Sequence, residues 1–509
     1  MTSEERSSRV PFNSFEYFQK ALIKPTGFRE YDVRWLLGEE INMNGMLRLG
    51  QAFGTFHLRP SKGRPRLDTA VVGHDFREYS QNVKNAFVIG LLSTGMNVID
   101  IGLTVTPGLY FAQYHLDIHA GAMITASHNE NGWTGIKLAH GLSKTFEPPE
   151  IEEFRAIVEK GDFAKGSGRY DTAGTNDAYI DDLAGSAKLG RKLKTVIATG
   201  NGTAGLFTPE VFRRIGCEVI EVHTEADWTF PNFNPNPENM KFLESIGEAV
   251  RTHRADCGIG LDGDGDRLGV VDDRGELIFS DKVGVLIARF LIPKVLERKG
   301  KPVFVADVKS TSLFEKLLVP MGAEIHWEKT GHSYIKAAVR NHKATAGMER
   351  SGHMFFNQPF GRGYDDGTLA GLRFVEMVAS QPKRVSELLY GLPRSYQSPN
   401  MQPRCADEVK RDVVARIQKA YEAIQAEKMP LAGRRITKVI TINGIRAHFD
   451  DDSWFLVRAS SNTPTLVVLG ESYTTRRRLY DMMEEVIGRL RAMPEIGEFD
   501  QTMPEYKGE

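Results

Sequence analysis

Short apolar runs alternate with helix-length amphipathic segments through roughly the first three quarters of the 509-residue chain. Parallel strands need a crossover to return to the same edge, so this rhythm predicts βαβ units around parallel sheets. The runs TAVVGHD (69–75), MNVIDIG (96–102) and GAMITAS (121–127) read as strands of a first domain. KTVIATG (194–200), CEVIEV (217–222) and CGIGLDG (257–263) read as a second, KPVFVADV (301–308) and KATAGMER (343–350) as a third. Near residue 395 the style changes. SYQSPNMQPRC (395–405) reads as a polar, proline-bearing linker. Beyond it come a helix, the strands KVITING (438–444), WFLVRAS (454–460) and TLVVLG (465–470), and a closing helix with Leu479, Met482, Met483, Val486, Ile487 and Leu490 on one face. The expected fold class is α/β: three related mixed α/β domains (1–175, 176–276 and 277–393) and a C-terminal α+β domain (394–509).

Charge and cysteine content narrow the function classes. With 65 basic and 66 acidic residues the net charge is -1, so no overall field recommends a nucleic-acid or membrane partner. Cys217, Cys257 and Cys405 are far apart and odd in number, as expected of buried apolar side chains in a reducing compartment. The polar start MTSEERSSRV lacks an apolar signal-peptide core, and VGVLIARFLI (283–292) is too short to span a bilayer and is broken by Arg289. A cytoplasmic protein, monomeric or a small homo-oligomer, is expected.

The stretch LDGDGDRLG (261–269) sets Asp262, Asp264 and Asp266 apart by single glycines. At about 4 Å and an effective dielectric near 20, each carboxylate pair repels by roughly 4 kcal/mol, so converging them calls for a hard divalent cation. An EF-hand is excluded because its sixth position, glycine in that motif, is Arg267 here, and the flanks read as strands. A solvated acidic turn is the plainer alternative.

Other loops carry chemistry-bearing residues. TASHNENGWTGIK (125–137) offers Ser127 straight after a strand. In extended chain His128 points to the opposite side and there is no G-x-S-x-G elbow, so a hydrolase triad is disfavoured. GNGTAG (200–205) follows a strand, and Glu221 lies 21 residues past Gly200, which meets the dinucleotide fingerprint on paper. A nicotinamide-dependent sugar dehydrogenase is therefore an alternative, with a non-catalytic sugar-phosphate sensor as another. GMERSGH (347–353) supplies Glu349, Ser351 and His353, groups of the kind that read sugar hydroxyls. RASSNTP (458–464) joins Arg458 to Ser460, Ser461 and Thr463, a density of donors suited to a dianionic phosphate. Each loop alone has an ordinary surface explanation, whereas four in one chain are harder to dismiss. The run TTRRRL (474–479) reads as a solvated face.

Taken together, in this order, these loops resemble the α-D-phosphohexomutase superfamily, most closely its phosphomannomutase/phosphoglucomutase branch. The likeness runs from FREYDVR at Phe28 to the closing helix. The resemblance implies four domains around a central cleft and interconversion of hexose 1-phosphates and 6-phosphates (mannose, glucose or both) through a hexose 1,6-bisphosphate. It implies that Ser127 carries the phosphoryl group, and that Asp262, Asp264 and Asp266 with a phosphoserine oxygen of Ser127 hold one Mg²⁺. Arg267 is implied at the rim, Lys309 on the substrate, Glu349, Ser351 and His353 on the sugar, and Arg458, Ser460, Thr463 and either Ser461 or Asn462 on the phosphate not being transferred. Lys137, His332 and Arg34 are implied near the reacting hydroxyl. Phosphoglucosamine mutase is the neighbouring alternative; the RAS form of the last loop favours the mannose/glucose branch.

Overall fold

The computed structural model describes residues 20–61, 63–461, 463–506 and 508. The readings made on the first nineteen residues and on Asn462 lie outside them. In the first sheet, β1 (Val33–Leu36), β2 (Thr69–His74), β3 (Asn97–Leu103), β4 (Ala120–Ile124), β5 (Trp133–His140) and β6 (Tyr170–Thr172) run in the order 1-5-4-2-3-6. The second holds β7 (Lys194–Ala198), β8 (Glu218–Val222), β9 (Cys257–Leu261), β10 (Leu268–Val271) and β11 (Leu277–Ile278) in the order 11-10-9-7-8. The third holds β12 (Val303–Asp307), β13 (Glu324–Glu328), β14 (Ala346–Met348) and β15 (Met354–Phe356) in the order 13-12-14-15.

One device recurs in all three. A parallel strand buried along its whole length, β4, β9 or β14, reverses into an antiparallel partner, β5, β10 or β15. The three reversals are the loops that carry Ser127, the three aspartates, and Glu349 with Ser351. Each therefore sits at the carboxyl end of a parallel strand, where open α/β sheets bind ligands.

The fourth sheet is antiparallel throughout: β16 (Tyr396–Gln397), β17 (Pro430–Leu431), β18 (Arg434–Ile440), β19 (Ile445–Phe449), β20 (Trp454–Ala459) and β21 (Leu466–Ser472), in the order 16-21-20-19-18-17. Alternate side chains of β20 serve two cores. Phe455 and Val457 pack with Leu479, Met482, Met483, Val486 and Leu490 of the closing helix, while Trp454 and Leu456 pack with Val308 of the third domain. Buried Arg446 fastens this docking through 2.8 Å bonds to the carbonyls of Val308 and Ser310 and to Ser312 Oγ.

Two expectations change. Residues 395–405 are no loose linker: Tyr396 and Gln397 pair with β21, Met401 bridges Val468 and Arg404 bridges Thr465. Backbone pairing holds them, and polar composition gives no sign of it. In TTRRRL, Thr474, Thr475, Arg476 and Arg477 form the expected solvated face, but Arg478 is buried against Asp451 at 2.9 Å and the Ala432 carbonyl at 2.8 Å, since its helix turns that position inward.

Candidate active site

The three aspartates converge. Asp262, Asp264 and Asp266 are fully buried, and one carboxylate oxygen from each lies within 4.8 Å of the others. Asp262 Oδ1 accepts the backbone N–H groups of Asp266 and Arg267 at 3.0 and 3.1 Å. Lys137, on β5, donates to Asp264 Oδ2 at 2.7 Å and also to Asp266 Oδ2. Burial and the two neighbouring carboxylates push Asp262 well above the usual range. Burial acts the same way on Asp264, but Lys137 and the Thr106 hydroxyl outweigh it and hold that carboxyl low. Burial alone would depress Lys137; Asp264 and Asp266 reverse that and keep its ammonium charged. Among the described residues Asp264 Oδ1 and Asp266 Oδ1 make no hydrogen bond. Three hard oxygen donors with two unmatched, water-excluded atoms fit a divalent cation such as Mg²⁺.

Ser127 meets this cluster across the sheets. Its Oγ donates to Asp262 Oδ2 at 3.1 Å, and a Cβ on Gly263 would stand 2.6 Å from the Ser127 carbonyl, so only glycine allows the loops to approach this closely. Ser127 has φ 52°, in the left-handed region that serine seldom adopts. This conformation overturns the extended-chain reading of His128, whose Nδ1 lies 3.2 Å from Ser127 Oγ. Burial and the cations Arg267 and Arg34 keep that imidazole neutral. Arg77 braces the loop from behind, donating to the carbonyls of Ser127, Asn129 and Glu130 at 3.1, 2.6 and 3.0 Å. Arg34, fixed by Asp32, reaches Asn129 Oδ1 at 2.6 Å.

One cleft is lined by Arg34, Ser127, Lys137, Arg267, Lys309, His332, Glu349, Ser351, His353, Arg458, Ser460, Ser461 and Thr463, residues from all four expected domains. Burial raises Glu349, whose Oε2 accepts Ser351 Oγ at 3.0 Å. His332, buried beside Lys336, is held neutral, and among the described residues its Nε2 has no partner. His353 Nε2 accepts from Arg267 Nε at 2.9 Å, and its Nδ1 lies 3.0 Å from Asp365 Oδ2. Ser460 Oγ and Thr463 Oγ1 are 2.8 Å apart, and Arg458 is oriented by Asn443 at 2.9 Å.

The GNGTAG loop has a different use. Its Thr203 N–H donates to the Gly263 carbonyl at 2.9 Å, a Cβ on Gly202 would stand 2.8 Å from Gly263, and Glu221 is taken by Thr224 at 2.6 Å and by Arg213. These glycines permit packing beneath the acidic loop; Glu221 is already engaged by protein donors, and the dehydrogenase reading loses its footing. The cleft also includes Tyr31, His128, Glu238, Thr330, Asn400 and Gln402, which the sequence analysis did not select. Glu238 lies 3.5 Å from Lys309 and accepts Asn400 Nδ2 at 3.0 Å, a meeting of three distant segments. Tyr31 lies inside FREYDVR, His128 inside TASHNENGWTGIK, and Asn400 and Gln402 inside the 395–405 stretch, whereas Glu238 and Thr330 lie outside every stretch singled out.

Comparison with known proteins agrees with this architecture. The phosphoglucomutase/phosphomannomutase alpha/beta/alpha domains I, II and III match residues 25–165, 177–275 and 279–396. A phosphomannomutase/phosphoglucomutase of Pseudomonas putida is 31% identical over 92% of this chain and 96% of its own. A phosphoglucomutase of Neisseria gonorrhoeae is 32% identical over 92% and 96%. The crystal structure of a phosphoglucomutase/phosphomannomutase family protein from Burkholderia thailandensis superposes with a TM-score of 0.80 at 29% identity, covering 92% of this chain and 98% of that one. The fold and cleft are those of an α-D-phosphohexomutase. The chain belongs to the phosphoglucomutase/phosphomannomutase family within that superfamily.

Proposed function

We propose that the protein is a Mg²⁺-dependent phosphohexomutase that interconverts the 1- and 6-phosphates of glucose and mannose through a phosphorylated Ser127 and a hexose 1,6-bisphosphate. The observation that carries this reading is the position of Ser127, which lines a cleft shared by all four expected domains while its Oγ lies 3.1 Å from Asp262 in a buried three-carboxylate cluster. The division at 1–175, 176–276, 277–393 and 394–509 is part of the proposal, supported by the ends of the matched family domains. A cytoplasmic, monomeric or small homo-oligomeric state also remains a proposal. Among the described residues no helix is long and apolar enough to cross a membrane.

Asp262, Asp264, Asp266 and an oxygen on Ser127 are the residues to hold the cation, which when bound supplies charge stabilisation to the transferring phosphoryl group. Arg458, Ser460, Ser461 and Thr463 hold the other phosphate, and Glu349 with Ser351 orients the sugar hydroxyls. Lys137, kept charged by two carboxylates, acts as electrostatic support. The proton of the attacking hydroxyl goes to the neutral imidazole of His332, whose Nε2 is unpartnered among the described residues, while His353 faces the sugar. Arg34 steadies the loop of Ser127, and Arg267 and Lys309 add positive charge to the cleft wall. Recognition of either phosphate by one clamp lets the bisphosphate turn between two transfers, and closure of the fourth domain over the cleft would protect phosphoserine from water.

The test is ³¹P NMR of the protein with Mg²⁺, a trace of glucose 1,6-bisphosphate, glucose 1-phosphate and mannose 1-phosphate. Appearance of the 6-phosphates supports the proposal and ranks the sugars; no conversion by folded, Ser127-phosphorylated protein refutes it.

A further inference from the structure

A tight turn at residues 28–33, closed by a backbone bridge from Phe28 to Val33, reaches out from the first domain in two directions. On one side Glu30 Oε1 accepts Tyr334 OH from the third domain at 2.6 Å. On the other, Arg29 Nη1 donates to Asp407 Oδ2 of the fourth domain at 3.1 Å. The remaining oxygen of Asp407 lies 2.6 Å from Lys410 Nζ, at the start of the helix Lys410–Ala426. Lys410 Nζ in turn donates to the carbonyls of Ser460 at 2.6 Å and Thr463 at 3.0 Å. Arg29 and Lys410 expose 10% and 9% of their side chains and Asp407 between them 32%, so solvent screens this chain of contacts somewhat less than a fully exposed pair.

We propose that Arg29, Asp407 and Lys410 form an interdomain latch that positions the phosphate clamp. The proposal rests on the phosphohexomutase reading, and the three act as positioning residues. Lys410 fixes the backbone on which the hydroxyls of Ser460 and Thr463 are mounted. Asp407 ties that lysine to Arg29, in the same turn that leads to Arg34 and the loop of Ser127. Domain closure and clamp order are thereby one event. By linkage, an anion held by the clamp strengthens the Arg29–Asp407 contact as much as the contact strengthens anion binding.

Two measurements on the full-length protein test this: KM and kcat for glucose 1-phosphate by ³¹P NMR, and small-angle scattering without any ligand. Arg29→Ala and Asp407→Ala are each expected to raise KM about tenfold with kcat changed less than about threefold, and to expand the ligand-free envelope. The double variant is expected to be no worse than Asp407→Ala alone, and Arg29→Lys to recover part of the loss. Unchanged KM and scattering in Arg29→Ala, or losses that add in the double variant, overturn the latch. If the unaltered protein converts no hexose phosphate, the function fails, yet the ligand-free scattering still decides whether the two residues hold the domains together.

Discussion

Lys137 Nζ, on β5 of the first sheet, lies 2.7 Å from Asp264 Oδ2, in a loop of the second. One ammonium thus neutralises part of an acidic cluster built by another domain. Removing one partner of such a buried ion pair costs about 3–5 kcal/mol, because the other charges are left uncompensated. Lys137→Met is therefore expected to lower the melting temperature in EDTA, with added Mg²⁺ recovering more stability for the variant than for the unaltered protein. Differential scanning calorimetry with and without Mg²⁺ checks this; equal recovery in both proteins contradicts it.

Ser127→Ala removes the proposed phosphoryl carrier while leaving a small side chain in the loop. Turnover is expected to fall by about a thousandfold or more, with the melting temperature changed little. Retention of a tenth of the activity in the ³¹P NMR assay shows that the phosphoryl group travels another way.

Among the described residues Arg458 has no carboxylate partner, and its hydrogen bond is to the amide oxygen of Asn443 at 2.9 Å. Its charge is thus available for a phosphate, and Arg458→Ala is expected to raise KM by about ten- to a hundredfold through loss of charge-assisted bonds. Steady-state kinetics with glucose 1-phosphate measures it, and an unchanged KM removes Arg458 from the clamp.

His57 is buried among Phe53, Phe56 and Phe146, with neither ring nitrogen hydrogen-bonded among the described residues. Burial, then His140 and Arg64, hold its pKa well below the usual histidine value. The unfolded chain takes up this proton below pH ~6.5 while the folded protein does not, so stability falls as pH drops. His57→Phe is expected to stabilise the fold at pH 8 by about 1–2 kcal/mol, through removal of two unsatisfied nitrogens. At pH 5 the gain grows by about 2 kcal/mol. Denaturant titrations at the two pH values test the sign: a gain that shrinks at pH 5 contradicts it.

Local patterning made much of the molecule readable. Strands such as β4 and β9 are continuous small or apolar runs because both faces are covered, and that signal needs no partner to be seen. Ser127 and the aspartates stood out because strand ends followed by polar, glycine-rich loops mark where ligands bind in α/β sheets. The strap at 395–405 was misread because its order comes from backbone bonds to β21, which side-chain polarity does not report. His128 was misread because the alternation rule assumes extended backbone, and residue 127 is left-handed.

By itself the sequence determined the parallel-sheet rhythm, the change of style before the fourth domain, and the residue types that each loop presents. Those follow from periodicity and turn chemistry over a few neighbouring residues. The tertiary structure alone decided that Lys137 charges one side of the acidic cluster, that Glu238 meets Lys309 and Asn400, and that Arg29 reaches Asp407. Such contacts join residues tens to hundreds of positions apart. Whether a buried charge finds its partner depends on how the domains pack, which no local pattern encodes.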